Sequence, residues 1–251
     1  MKGEDSGPEE LLPFEPSSKS KIIAIGTIIS ALYALLVFLP INAFIGSGSI
    51  LSAAIFIAPL FGILLGPRYG AVFGAIGGLL ATIVSAQMGG LYLAIPPIIL
   101  SPAISGFLTG SCLQHRTLIG PVRVPGPIVT GLYLLVVIIL YLIPNYSGWW
   151  FILPYALAMI VAFILQVYEI DIRSTYKTKA TLSIMLLALI GTMTDFSMMT
   201  MASVYILGLD GYTFGVFIFP VMLIERTAAV IISSTIIGIL LTAFRDELPI
   251  R

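Results

Sequence analysis

Eight apolar segments take up almost the whole chain: 22–39, 50–66, 70–88, 91–113, 127–143, 149–168, 180–207 and 212–244. Six of them contain no Asp, Glu, Lys or Arg. Uncharged runs of this length suit helices that cross a lipid bilayer, because a helix satisfies its backbone groups within its own segment. The runs are continuously apolar and do not alternate, so helices are expected here and barrel strands are not. The expected fold is an all-α polytopic bundle of about eight transmembrane helices, with 21–245 as a single transmembrane domain. Composition agrees, since only 10% of the residues are charged, against about a quarter in soluble domains. Residues 1–20, MKGEDSGPEELLPFEPSSKS, are acidic and contain proline, unlike the basic start of a cleavable leader. They read as a disordered cytoplasmic tail, and 246–251 as a second, shorter one.

The basic residues set the orientation. Lys19 and Lys21 precede the first segment, and Arg68 lies in the second connection. Arg116 and Arg123 lie in the fourth, and Arg173, Lys177 and Lys179 in the sixth. Arg245 and Arg251 follow the last segment, while the odd-numbered connections hold no Lys or Arg. This alternation implies an even number of crossings with both termini cytoplasmic, in a multi-pass protein of the cell membrane. Segments two and three are joined by the tight turn GPRYG, and Gly70, Gly74, Gly77 and Gly78 suit close helix packing in lipid. The last two segments exceed the about 20 residues a bilayer needs, so they must tilt, project or break. Pro220 and GLDGYTFG mark a place for a break.

Of the 12 Lys and Arg residues, only Arg226 falls inside an apolar segment, next to Glu225. Counting at the helical rise puts Arg226 roughly 27 Å above the inner boundary at Phe244, and Asp195 roughly 22 Å above its own boundary. The three ionisable residues are expected at one depth, in the outer half of the membrane. Charge there costs a few kcal/mol and survives by pairing or by facing a polar cavity. Two readings follow. An Asp195–Arg226 bridge ties two helices together, or Asp195, Glu225 and Arg226 border a ligand pocket. Thr192, Thr194, Ser197 and Thr200 surround Asp195 with hydroxyls and favour the pocket. Trp149, beside Trp150 and Tyr146, is either part of an interfacial aromatic belt or part of that pocket. Asn42 and the loop IGSGS (45–49) form either a lid or a plain connector.

Other chemistry finds no support in the residues. There is no phosphate-binding loop, so the chain is not expected to hydrolyse ATP itself. One cysteine and one histidine leave no metal cluster at ligand spacing and no Ser-His pair. No cofactor and no enzymatic activity are expected. The zero net charge gives no reason to expect nucleic acid.

The stretches IAIGTIISALYALLVFLP (23–40), APLFGILLGPRYGAVFGAIGGLLATIVS (58–85) and FIFPVMLIERTAAVIISSTIIGILLTAF (217–244) resemble the substrate-binding S components of energy-coupling factor (ECF) transporters. The resemblance covers about a third of the chain. It implies a small helical membrane protein that binds a vitamin or related micronutrient near the outer face. A separate transmembrane coupling protein and ATPases would supply the energy. It also implies docking of that partner on small residues of the first helix, here Gly26, Ser30 and Ala34, with Thr27 and Ala31 beside them. The family has six helices where eight segments are counted, so 127–168 reads as an inserted hairpin. The alternatives are a self-sufficient secondary transporter or permease, and a structural membrane protein without a small ligand.

Overall fold

The computed structural model describes residues 19–37, 39, 52–87, 96–114, 117–119, 122–168, 172 and 177–243. Helix α1 spans Lys19–Leu36. After a short 3-10 turn, Ala53–Phe56, comes α2, Ala58–Gln87. The short α3, Pro96–Ile99, leads into α4, Ser101–Leu113. Strands β1 (Thr117–Ile119) and β2 (Val122–Val124) form a two-stranded antiparallel hairpin, with Leu118 opposite Arg123. This hairpin lies in the fourth connection between apolar segments. Helix α5, Gly126–Asn145, passes through the 3-10 segment Tyr146–Ile152 into α6, Leu153–Val167. Helix α7 covers Lys177–Tyr205, and α8, Phe219–Ala243, follows a π-helical turn at Thr213–Ile218.

Proline explains several of these starts. Its fixed φ suits the first helical turn, where no backbone N–H has a partner to lose. Pro102, Pro127 and Pro154 lie in the first turns of α4, α5 and α6, and Pro220 is the second residue of α8. Pro220 follows the π-helical turn Thr213–Ile218 inside the continuous helical stretch Thr213–Ala243, so the helix does not end there. The interruption lies upstream, where Gly208 takes a φ of 66°. Asp210 then accepts the Thr213 backbone N–H at 2.9 Å. These hydrogen bonds from Thr213 hold its carboxyl below the usual carboxylate range.

Helix α2 is really a hairpin. Gly66, with φ 73° and ψ −178°, turns the chain so that 58–65 runs back along 67–87. A Cβ on Gly70 would lie 2.6 Å from the Phe61 carbonyl oxygen. Only glycine takes this φ without strain, and Pro67 then starts the second arm.

The side-chain contacts give the direction of each rod. Gly26 faces Phe73 and Ser30 lies near Gly77, so α1 runs parallel to the 67–87 arm. Gly70 meets Gly106 and Gly74 meets Pro102, so α4 runs antiparallel to that arm. The Thr130 hydroxyl donates to the Leu108 carbonyl and Gly126 abuts Ser111, which reverses direction again for α5. Gly131 meets Phe163 while Tyr141 stacks near Phe151, so α5 and α6 form a hairpin. Tyr133 bonds to Ser197 and Tyr205 to Leu140, so α7 runs parallel to α5. The starts of α1, of the 67–87 arm, of α5 and of α7 therefore share one end of the bundle. Lys19, Lys21, Arg68, Lys177 and Lys179 belong to that basic end, as does the backbone of Arg123.

Five helical stretches are long and apolar enough to cross a membrane: Lys19–Leu36, Ala58–Val84, Gly126–Val167, Thr178–Tyr205 and Thr213–Ala243. Their outward faces carry large exposed apolar residues such as Ile28, Ile83, Ile143, Ile160, Ile224 and Ile239. Inside lie two core clusters. One gathers Ile22, Tyr33, Phe61, Leu64, Leu187 and Ile237. The other gathers Leu134, Tyr141, Phe151, Tyr155, Phe196, Phe214 and Met222 toward the end opposite the basic one.

Candidate functional site

Between these two clusters lies the charge. Asp195 of α7 and Arg226 of α8 are 2% and 3% exposed, so neither charge is hydrated by bulk solvent. Arg226 Nη1 lies 3.9 Å from Asp195 Oδ2 and donates to the Thr192 carbonyl at 3.3 Å. The guanidinium carbon sits 4.3 Å from the centroid of the Phe196 ring, a cation–π contact. Such contacts contribute about 2 kcal/mol when desolvated. The 3.9 Å separation is longer than a hydrogen bond, so the two charges attract without full mutual satisfaction.

Several elements converge on this pair. The Ser101 hydroxyl at the start of α4 interacts with both Asp195 and the Tyr33 hydroxyl of α1. Tyr33, Tyr133 of α5 and Tyr155 of α6 all lie within electrostatic reach of the Asp195 carboxylate. Tyr155 also stacks on Phe196 at 6.4 Å and bonds to Thr200 at 2.7 Å. The pair is thus enclosed by side chains from six helices. Several polar atoms of the ion group nevertheless have no hydrogen-bond partner. These are Asp195 Oδ1, both Glu225 carboxylate oxygens, and Arg226 Nε and Nη2. A buried polar group without a partner costs about 1–3 kcal/mol, and more when charged.

The expected site residues fare differently. Asp195 and Arg226 meet, as their depths required. Thr192 contributes its backbone carbonyl, while its hydroxyl donates to the Leu189 carbonyl at 3.1 Å. Thr194 likewise donates to the Ile190 carbonyl at 2.8 Å, whereas Ser197 and Thr200 bond across to Tyr133 and Tyr155 at 2.6 and 2.7 Å. Glu225 is 5% exposed and lies within electrostatic reach of Arg226, but forms no ion pair with it among the described residues. Consecutive helical residues point about 100° apart. Trp149 is 50% exposed and stands edge-on to Trp150, whose ring N–H donates to the Gly215 carbonyl. Asn42 and the 45–49 loop lie outside the described residues.

The small-residue stripe of α1 needs a correction. Gly26, Ser30 and Ala34 are buried inside this chain. A Cβ on Gly26 would enter the Phe73 ring, and the Ser30 hydroxyl donates to the Phe73 carbonyl at 2.7 Å. The stripe packs α1 on α2 and is not free to dock another protein. Tyr33, Ser101, Tyr133, Tyr155 and Phe196 were missed as site residues. A signal existed for the three tyrosines: each sits inside an apolar segment, where its hydroxyl must find a partner.

Bundle and buried charge together define a multi-pass helical membrane protein. Comparison with protein-family models, with curated proteins and with solved structures finds no match for the chain.

Proposed function

We propose that the chain is a membrane-embedded binding subunit that takes up a small polar molecule, with its ligand held at Asp195 and Arg226. The observation that carries this reading is the set of buried, unpartnered polar atoms on those two side chains. A bridge serving only to join two helices would spend these atoms on each other. In this reading the bundle crosses the cell membrane eight times, with the basic end and both termini cytoplasmic. The site then faces the outer half of the bilayer. The likeness of 23–40, 58–85 and 217–244 to ECF S components supports a vitamin-like ligand. A separate coupling protein and ATPases would then drive uptake. The α5–α6 hairpin, surplus to a six-helix S component, contributes Tyr133 and Tyr155 to the site and belongs to the ligand machinery.

One substitution tests the ligand site. Asp195→Asn keeps size and deletes charge. It should weaken binding of the ligand that co-purifies with the wild-type protein by at least about tenfold, or 1.4 kcal/mol, alongside the stability lost by stranding the Arg226 charge. Normal binding would make the pair a helix tie.

Glu225 favours a second reading, a self-sufficient proton-coupled transporter, because both its buried oxygens lack partners. Uptake driven by a proton gradient into liposomes containing this chain alone separates the two.

A further inference from the structure

Arg226 offers its ligand a particular edge. Its Nη1 is engaged by Thr192 and Asp195. Nε and Nη2, buried and without a partner, lie side by side on the other edge of the guanidinium plane. Their two N–H groups form the fork that matches the two oxygens of a carboxylate. Phe196 covers a face of the guanidinium at 4.3 Å, so a partner must approach in the plane. Asp195 Oδ1 is buried and unpartnered as well, and a carboxylate oxygen can only accept. Two donors in one plane, and one anionic acceptor on the carboxylate that faces Nη1, are therefore left open.

Charge decides which molecule completes such a site. Among the described buried residues, the acids Asp195 and Glu225 outnumber the one cation, Arg226. A bare anion, above all a doubly charged phosphate, would add to that excess in a medium where each uncompensated charge costs several kcal/mol. A bare cation would leave the Arg226 fork empty. We propose, resting on the ligand-site reading above, that the site holds a small zwitterion. Its carboxylate lies bidentate on Arg226 Nε and Nη2, and its ammonium donates to Asp195 Oδ1. The molecule brings no net charge into the membrane and satisfies both sets of open atoms.

The test uses full-length protein, gently extracted and examined by native mass spectrometry. The compound released from the wild-type protein is treated separately with acidic methanol and with acetic anhydride. A mass gain in both reactions, reporting one carboxyl and one amine, is expected. The same compound added back should bind Arg226→Lys at least about tenfold more weakly, because lysine keeps the charge and loses the fork. Its methyl ester should lose as much on the wild-type protein, an arm that stands even if the variant does not fold. A released compound lacking either group, or an ester that binds as well as the acid, overturns the zwitterion and leaves the ligand site standing. A wild-type protein that holds no compound removes the ligand site itself, and the zwitterion with it.

Discussion

At Arg226 no bulk water is at hand, and the described residues answer the guanidinium with one carbonyl, one carboxylate at 3.9 Å and one aromatic ring. Removing one member of a buried ion pair leaves an uncompensated charge, which costs about 3–5 kcal/mol. Replacing both by apolar residues of similar volume is often neutral or stabilising. Asp195→Leu and Arg226→Met should each lower unfolding stability in detergent by about 3–5 kcal/mol, and the double variant should recover most of that loss. Additive losses in the cycle would show that the two residues do not stabilise each other. The pairing was legible in the sequence because depth follows from counting residues along a helix. Side-chain direction was not: Glu225, expected to border a pocket with Asp195 and Arg226, makes no ion pair with Arg226 among the described residues. The Ser101 contact was also hidden, since Ser101 and Asp195 lie far apart in the chain and only the fold brings them together.

Among the elements, the glycine contacts of α2 and α4 do the packing. Apolar burial gives helices little reason to associate in lipid, so close backbone approach takes its place. A Cβ on Gly106 would lie 2.5 Å from the Gly70 carbonyl oxygen, while a Cβ on Gly238 of α8 would meet nothing within 4 Å. Gly106→Ala should therefore destabilise by about 1–3 kcal/mol through overpacking. Gly238→Ala should stabilise by up to about 1 kcal/mol through helix propensity. Thermal unfolding of the two variants checks the contrast, and equal shifts would contradict the packing described. The sequence showed that Gly70, Gly74, Gly77 and Gly78 suit tight packing, but not against which helix. The same limit misdirected the reading of α1. Small residues at four-residue spacing announce a close neighbour without saying whether it lies in this chain or another, and here it is Phe73 of α2.

For the whole molecule, the charge pattern of the connections carried more than hydropathy did. It anticipated that Lys19, Arg68 and Lys177 would share one end, and the rod directions put them there. Hydropathy counted segments but not their form. The tight turn expected at GPRYG is the Gly66 turn that folds 58–65 back on 67–87, whereas the β-hairpin before α5 depends on strand pairing that hydropathy does not carry. Orientation in the membrane is open to a direct measurement. Cys112 is 2% exposed, so single cysteines can be added without removing it. Cysteine at Ser147 or Asp210 should react with an impermeant reagent from outside intact cells, and cysteine at Thr178 only after the membrane is opened. The reverse pattern would invert the proposed topology. The glycine contacts carry one more consequence. With Gly62, Gly70, Gly106 and Gly110 bringing backbone against backbone, the three rods 58–65, 67–87 and 101–113 have no soft side-chain layer to slide on. They move as one rigid body. On the ligand-site reading proposed above, an opening to Arg226 would hinge outside these rods, for instance at the Tyr205–Thr213 connection with its positive-φ Gly208.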